Sequence, residues 1–494
     1  MAQAKAEKKA VKKAAGALPT LGHWIGGKER SAASGQTLPV VNPATGLDMA
    51  AVARGTAQDA DAAAKAADAA LRGPWSKLSP RQRARVLFEI ARLIRENAES
   101  LAELESQNAG KPVGEARGEV EAAAGCFEYY AGAVSKFFGE TIPVGASGLD
   151  FTLKEPVGVC ALIVPWNYPL VIASWKLAPA LACANAVALK PAEATPLTAL
   201  RLARICAEAG VPEGVVNVVT GLGPEAGEPL VQHPLVRKVS FTGSTAVGRH
   251  LMALAAPSLK RVSLELGGKS PSLIFDDADL DRCAADAAGA VFSNAGQDCC
   301  ARSRALVHEK IYDAFVEKVA VCAKKLRVGD PRDPKTEMGP LISQKQKDRV
   351  LGYVAAGKKE GAKLVCGGEA PDLGGGFFVT PAVFARVSPR MRVFQEEIFG
   401  PVLCATPFKT EDEAVALANG TDYGLSGSIW TRDVGRAIRL SRRVQSGVLS
   451  VNSSSSVHIE APFGGYKSSG VGRELGMKAL ELYSEVKNVF ISDY

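Results

Sequence analysis

Long apolar runs, histidine, paired-cysteine spacings and basic runs interleaved with aromatics are all scarce in this 494-residue sequence. Each scarcity removes a class of function. Without a run of eighteen or more apolar residues, no bilayer-spanning helix is expected. The five histidines, at 23, 233, 250, 308 and 458, are scattered and form no ligand cluster, so no metal site is expected. The ten cysteines include no C-x-x-C and no short secreted framework, which reads as reduced thiols in a cytoplasmic protein. No fixed-period repeat is present, excluding solenoids.

The formal net charge of +7 resides largely in the first sixteen residues, MAQAKAEKKAVKKAAG, which hold five lysines and one glutamate. That tail is expected to be solvated and frayed, and it has neither the apolar core of a signal peptide nor the arginines of a transit peptide. Setting its +4 aside leaves the rest near +3, so nucleic acid is not an expected partner.

What is present is a long α/β pattern. VVNPATG marks turns around short strands, and two helices are expected after it. In the second, Ser79 and Pro80 read as N-cap and first helical residue, with Val86, Leu87, Ile90, Leu93, Ile94 and Leu101 on one face. From residue 157, short apolar runs such as VGVCALIVP, AVALKP, VVNVVTG, VRKVSF and RVSLEL alternate with helical patterns. This predicts a doubly wound parallel sheet with ligands at the carboxyl ends of its strands. A second alternating block runs from about 270 to 465, so two α/β domains flanking a cleft are expected.

The chemistry-bearing motifs fall at those strand ends. FTGSTAVG (241–248) opens a helix whose start would suit a phosphate, or it is an ordinary glycine turn. In KPAE (190–193), Lys190 and Glu193 would suit a ribose, with Glu193 favouring NAD over NADP, or they form a solvated pair. PWNYP (165–169) holds Asn167 between two prolines, as an oxyanion donor or as the cap of a turn. LELGGKSP (264–271) ends a strand on Glu265, either a base toward water or a buried carboxylate paired with a lysine. NAGQDCCA (294–301) places two thiols side by side. Neighbours cannot readily form a relaxed disulfide, and two ligands alone make no zinc site, which leaves one working thiol.

Asn167, Lys190, Glu193, the Gly243-Ser244 turn, Glu265, GQDC (296–299) and EEIFGP (396–401), in this order, closely resemble the aldehyde dehydrogenase superfamily. The likeness runs from VVNPATG to FGGYKSSGVGRELG and extends to the betaine aldehyde and aminobutyraldehyde type. It implies a Rossmann-like cofactor domain (17–134 and 157–267), an α/β catalytic domain (268–467) and a small β oligomerisation element (135–156 and 477–494), in a homodimer or homotetramer.

It further implies Cys299 as nucleophile, Asn167 and the Cys299 N–H as oxyanion hole, and Glu265 as general base. Trp166, Lys190, Glu193, Gly243, Ser244, Leu266, Glu397 and Phe399 would bind NAD. The implied reaction forms a Cys299 adduct, passes hydride to NAD and hydrolyses the thioester. Tyr168, Trp175 and Phe463 resemble the aromatic lining for a cationic aldehyde, although position 293 is serine where some such relatives carry tryptophan. Asp298 and Glu460 either bring two carboxylates to the entrance, suiting 4-aminobutyraldehyde or betaine aldehyde, or are simply solvated. A broad-specificity enzyme is the alternative substrate reading. With every expected catalytic residue in place, a purely structural role is not expected.

Overall fold

The structure, a computed structural model, describes residues 18–455 and 457–493, so the lysine-rich tail lies outside the described residues. Two large sheets organise the chain. The first has eight strands in the order Gly470–Val471, Arg261–Glu265, Val236–Thr242, Val159–Ile163, Ala186–Lys190, Val216–Val218, His23–Ile25 and Lys28–Arg30. Its five central strands run parallel, and the edge strand Gly470–Val471 is antiparallel to Arg261–Glu265.

Strand alternation explains why this sheet is covered on both faces. Val159, Ala161 and Ile163 enter one apolar cluster with Ala60 and Ala64 of the helix Ala57–Ala70. Cys160 and Leu162 point the other way, into a cluster with Leu170, Leu177 and Phe127. A strand buried on both faces must read as a continuous apolar run, as VCALI does.

The second sheet has seven strands in the order Lys363–Cys366, Ala382–Ala385, Val402–Phe408, Arg304–His308, Pro271–Ile274, Ser426–Trp430 and Val448–Val451. All pairs are parallel except the first. A separate apolar cluster surrounds this sheet.

Among the described residues four α-helices, not the expected two, precede the first central strand: Ala57–Ala70, Pro80–Glu96, Ala98–Ala109 and Val113–Ala133. Ser79 caps the second as expected, its hydroxyl accepting from Gln82 N at 3.3 Å. That helix ends before Leu101, because Asn97 leaves helical geometry and its amide donates to Leu93 O at 2.9 Å. Leu101 is buried in the following helix instead.

Gly148–Pro156 pairs antiparallel with Ser484–Ser492 of the same chain, and Thr141–Ile142 completes a three-stranded sheet. The preceding helix Lys478–Leu482 belongs elsewhere, with Ala479 and Leu480 buried in the first apolar cluster. Among the described residues no helix is long and apolar enough to cross a membrane.

Candidate active site

The carboxyl ends of the first sheet's parallel strands gather the predicted residues. Val159–Ile163 runs into Pro165-Trp166-Asn167, Val236–Thr242 into Gly243-Ser244, and Arg261–Glu265 into Leu266-Gly267. Trp166, Asn167, Gly243, Ser244, Leu266, Cys299, Glu397 and Phe399 line one cavity of about 220 Å³. On the other side of Cys299 a second cavity, of about 380 Å³, is lined by Tyr168, Trp175, Glu265, Asp298 and Phe463. The thiol therefore stands where the two cavities meet.

The strand-to-helix turn at Ser244 is built for an anion. Ser244 caps Thr245–Ala255, its hydroxyl accepting from Val247 N at 3.4 Å, and the helix start faces the first cavity. The buried Thr242 hydroxyl, which lines both cavities, has no hydrogen-bond partner. Lys190 and Glu193 pair with each other at 3.3 Å at the end of Ala186–Lys190 and do not line the enclosed cavity. Burial lowers the Lys190 pKa, and Glu193 is exposed.

Glu397 accepts from Gly268 N at 2.8 Å, and burial raises its pKa. Gly267 is required beside it, since an added Cβ would lie 2.5 Å from Glu397 Oε2. Trp166 and Phe399 meet edge to face at 5.2 Å. Two residues that the motifs did not reveal hold this loop: Gln346 donates to Phe399 O and Arg349 to Glu397 O, each at 2.6 Å. Both come from the helix Gln344–Lys359, where nothing but their spacing of three on one helical face could have marked them.

Asn167 donates its side-chain N–H to Gln297 O at 3.0 Å, and a primary amide retains a second N–H. Its own carbonyl accepts from Asn294 Nδ2 at 3.0 Å and from Lys111 Nζ at 2.9 Å. Asn294 and Ala295 adopt positive φ of 48° and 55°, the turn that delivers the cysteine loop. Gln297 is buried and locks the same turn, accepting from Ile342 N at 2.9 Å.

The Cys299 thiol hydrogen-bonds with Cys300, and this contact together with burial raises its pKa well above an ordinary thiol. Asp298 bonds the same thiol and accepts from Cys300 N at 2.8 Å. The carboxylate oxygen of Asp298 and the sulfurs of Cys299 and Cys300 lie within 4.8 Å of one another, so the aspartate next to the cysteines folds back onto them. Glu265 is 4% exposed, and among the described residues neither carboxylate oxygen has a hydrogen-bond partner. The lysine-paired alternative fails here, because the nearby Lys176 is bonded to Glu474. Burial and the Glu474 charge push the Glu265 pKa well up.

The carboxylates around the second cavity differ from the expected pair. Glu460 lines a separate surface cavity with Arg95, Glu121 and Glu128, since its loop turns toward the helix Val113–Ala133. In its place Glu115 and Glu119 join Asp298 around the second cavity. Ser293 Oγ donates to Glu115 at 2.9 Å, so the serine at that position holds a carboxylate at the mouth. Glu119 pairs with Lys111, yet burial outweighs the lysine and lifts its carboxyl to about 8. Lys111 also sits 4.5 Å over the Tyr168 ring, and Trp175 meets Phe463 at 5.3 Å. A usable signal was present in KPVGEARGEVEA: Glu115 and Glu119 stand four apart, beside Gly118 and Ala122, which leave room for a ligand.

Comparison with known proteins adds independent findings. Residues 30–489 match the model of the aldehyde dehydrogenase family. The chain is 47% identical to the human mitochondrial aldehyde dehydrogenase, over 95% of this chain and 91% of the relative. It is 44% identical to betaine aldehyde dehydrogenase 1 of rice, over 96% and 95%. The NAD+ complex of an aldehyde dehydrogenase from Bacillus cereus superposes with a TM-score of 0.94 at 43% identity, covering 96% of both chains.

Proposed function

The chain belongs to the aldehyde dehydrogenase family and is an NAD-dependent aldehyde dehydrogenase, and from that premise we propose that it oxidises a cationic aldehyde, betaine aldehyde or 4-aminobutyraldehyde, to the acid. One observation carries this reading: Glu115, Glu119 and Asp298 ring a cavity that also presents Tyr168, Trp175 and Phe463. Desolvated carboxyls with raised pKa regain favourable ionisation when a ligand cation enters, and ring faces add attraction for an ammonium.

The first cavity fits the cofactor: the free Thr242 hydroxyl, the capped helix start and the close approach allowed by Gly267 suit a flat, polyanionic group. Trp166, Gly243, Ser244, Leu266, Glu397 and Phe399 would hold NAD there, with Lys190 and Glu193 at its outer ribose. Glu193 would repel a 2′-phosphate, so NADP is disfavoured. When bound, NAD supplies the acceptor for the hydride that a Cys299 adduct must lose to become a thioester.

Cys299 is the nucleophile in this proposal. It gives its thiol proton to solvent, the sulfur adds to the carbonyl carbon, and the free N–H of Asn167 with the Cys299 N–H stabilises the oxyanion. Glu265, unpaired and in the same cavity, removes a proton from water, which attacks the thioester and releases the carboxylate and the thiol. Because this base is present, free acid is the product and acyl-CoA is not.

The test is kcat/KM for betaine aldehyde and 4-aminobutyraldehyde against a neutral aldehyde of equal length. The cationic compounds are expected to win, and parity or a neutral preference refutes the reading in favour of broad specificity. We also propose a homodimer or homotetramer through the three-stranded sheet, which exposes Leu149, Leu153, Val486, Phe490 and Ile491. Light scattering on the eluting peak checks this, and a stable monomer counts against it.

A further inference from the structure

We propose that Asp298, Cys299 and Cys300 form a trap for a thiophilic divalent cation, zinc or cadmium, whose binding reversibly silences the enzyme. Adjacent cysteines in an extended chain point apart, but here the backbone turns. Ala301 N donates to Asp298 O at 3.1 Å and Cys300 N to the Asp298 carboxylate at 2.8 Å. The turn gathers two sulfurs and a carboxylate oxygen within 4.8 Å. A tetrahedral zinc with Zn–S bonds of about 2.3 Å separates its ligand atoms by about 3.8 Å, a small side-chain adjustment from this spacing.

A second observation points to the same place. Glu265 lines this cavity, is almost wholly buried, and has both oxygens without a hydrogen-bond partner. It lies outside the 4.8 Å group but faces the same cavity, a carboxylate that a bound cation could draw in. Soft thiolates select zinc and cadmium over magnesium or calcium.

The step needs no oxidant. Each thiol gives its proton to solvent, two metal–sulfur bonds form, and a chelator that removes the cation returns both thiols. Occupancy of the Cys299 sulfur lone pair would block the first half of the proposed reaction. The inhibition therefore rests on the catalytic reading given above, whereas the binding does not.

The experiment titrates cadmium into the full-length protein without added thiols and follows the sulfur-to-cadmium charge-transfer band beside dehydrogenase activity. Wild type is expected to lose activity as the band grows, and EDTA to restore it. Cys299→Ala and Cys300→Ser should each lose one equivalent of the band per chain, and Asp298→Asn should weaken it at least tenfold. Circular dichroism certifies that each variant is folded, and Cys300→Ala replaces Cys300→Ser if the latter is not. A wild-type band in the Cys300 variant overturns the trap. Loss of the band in a Cys299→Ala protein that still oxidises aldehyde would sink the catalytic reading and leave the trap standing.

Discussion

Gly268 faces the carbonyl of Cys299 so closely that an added Cβ would stand 2.3 Å from that oxygen. The same residue donates its N–H to Glu397, so one glycine fixes the cysteine loop and the cofactor-facing carboxylate together. Gly268→Ala must displace the Cys299 backbone. A misplacement near 1 Å costs on the order of 100-fold in rate, so kcat is expected to fall by about that factor while the melting temperature moves little.

The proposed nucleophile and its neighbouring thiol should separate by function. Cys299→Ala is expected to lower dehydrogenase turnover on the order of 10⁶-fold, the scale of losing a covalent nucleophile, while NAD still binds by fluorescence titration. If Cys300→Ala is the inactive protein instead, the nucleophile has been assigned to the wrong sulfur.

Glu265 predicts a pH profile. Its pKa is held well above that of an ordinary carboxylate, so the basic form grows as pH rises, and deacylation should accelerate from neutral toward alkaline pH. Glu265→Gln removes that dependence and slows turnover by roughly 10²- to 10⁴-fold. A pre-steady-state burst of NADH should persist in the variant, since acylation precedes the base; absence of the burst would place Glu265 in the first step.

Glu119 predicts a pH-dependent KM. With its carboxyl lifted to about 8, it gains charge as pH rises through that value. Betaine aldehyde keeps a fixed positive charge, so its KM should fall across pH 7 to 9 relative to that of a neutral aldehyde. Glu119→Gln should flatten the difference, and an unchanged slope in the variant would exclude this residue as the sensor.

Behind Glu265, the buried Lys176 and Glu474 are ion-paired, and Lys176 also donates to Ser240 Oγ at 3.1 Å. Truncating one partner of a buried pair leaves an uncompensated charge and costs about 3–5 kcal/mol. Lys176→Met should therefore lower stability by that amount in urea titrations, and a loss below about 1 kcal/mol would show that water or Glu265 takes over the partnership.

What sequence disclosed and what it concealed follow from locality. Trp166, Gly243, Ser244 and Glu265 sit in strand-to-turn segments where the carboxyl end of a parallel strand already names the ligand side. Gln346, Arg349, Glu115 and Glu119 lie on helices that reach the site only through tertiary packing, so their spacings of three and four along a helix face gave only a weak local mark. Glu460 misled for the same reason, because closeness along the chain to Phe463 did not fix the direction of its loop. The break at Asn97 was missed because Leu101 continues the apolar period across the cap.

The pairing of Gly470–Val471 with Leu264 and Glu265 sets a clock on synthesis. Until the ribosome has added nearly the whole chain, the strand bearing the proposed base remains an open sheet edge, a surface prone to pairing with strangers. A nascent chain can thus carry the proposed nucleophile well before the edge beside the proposed base is closed.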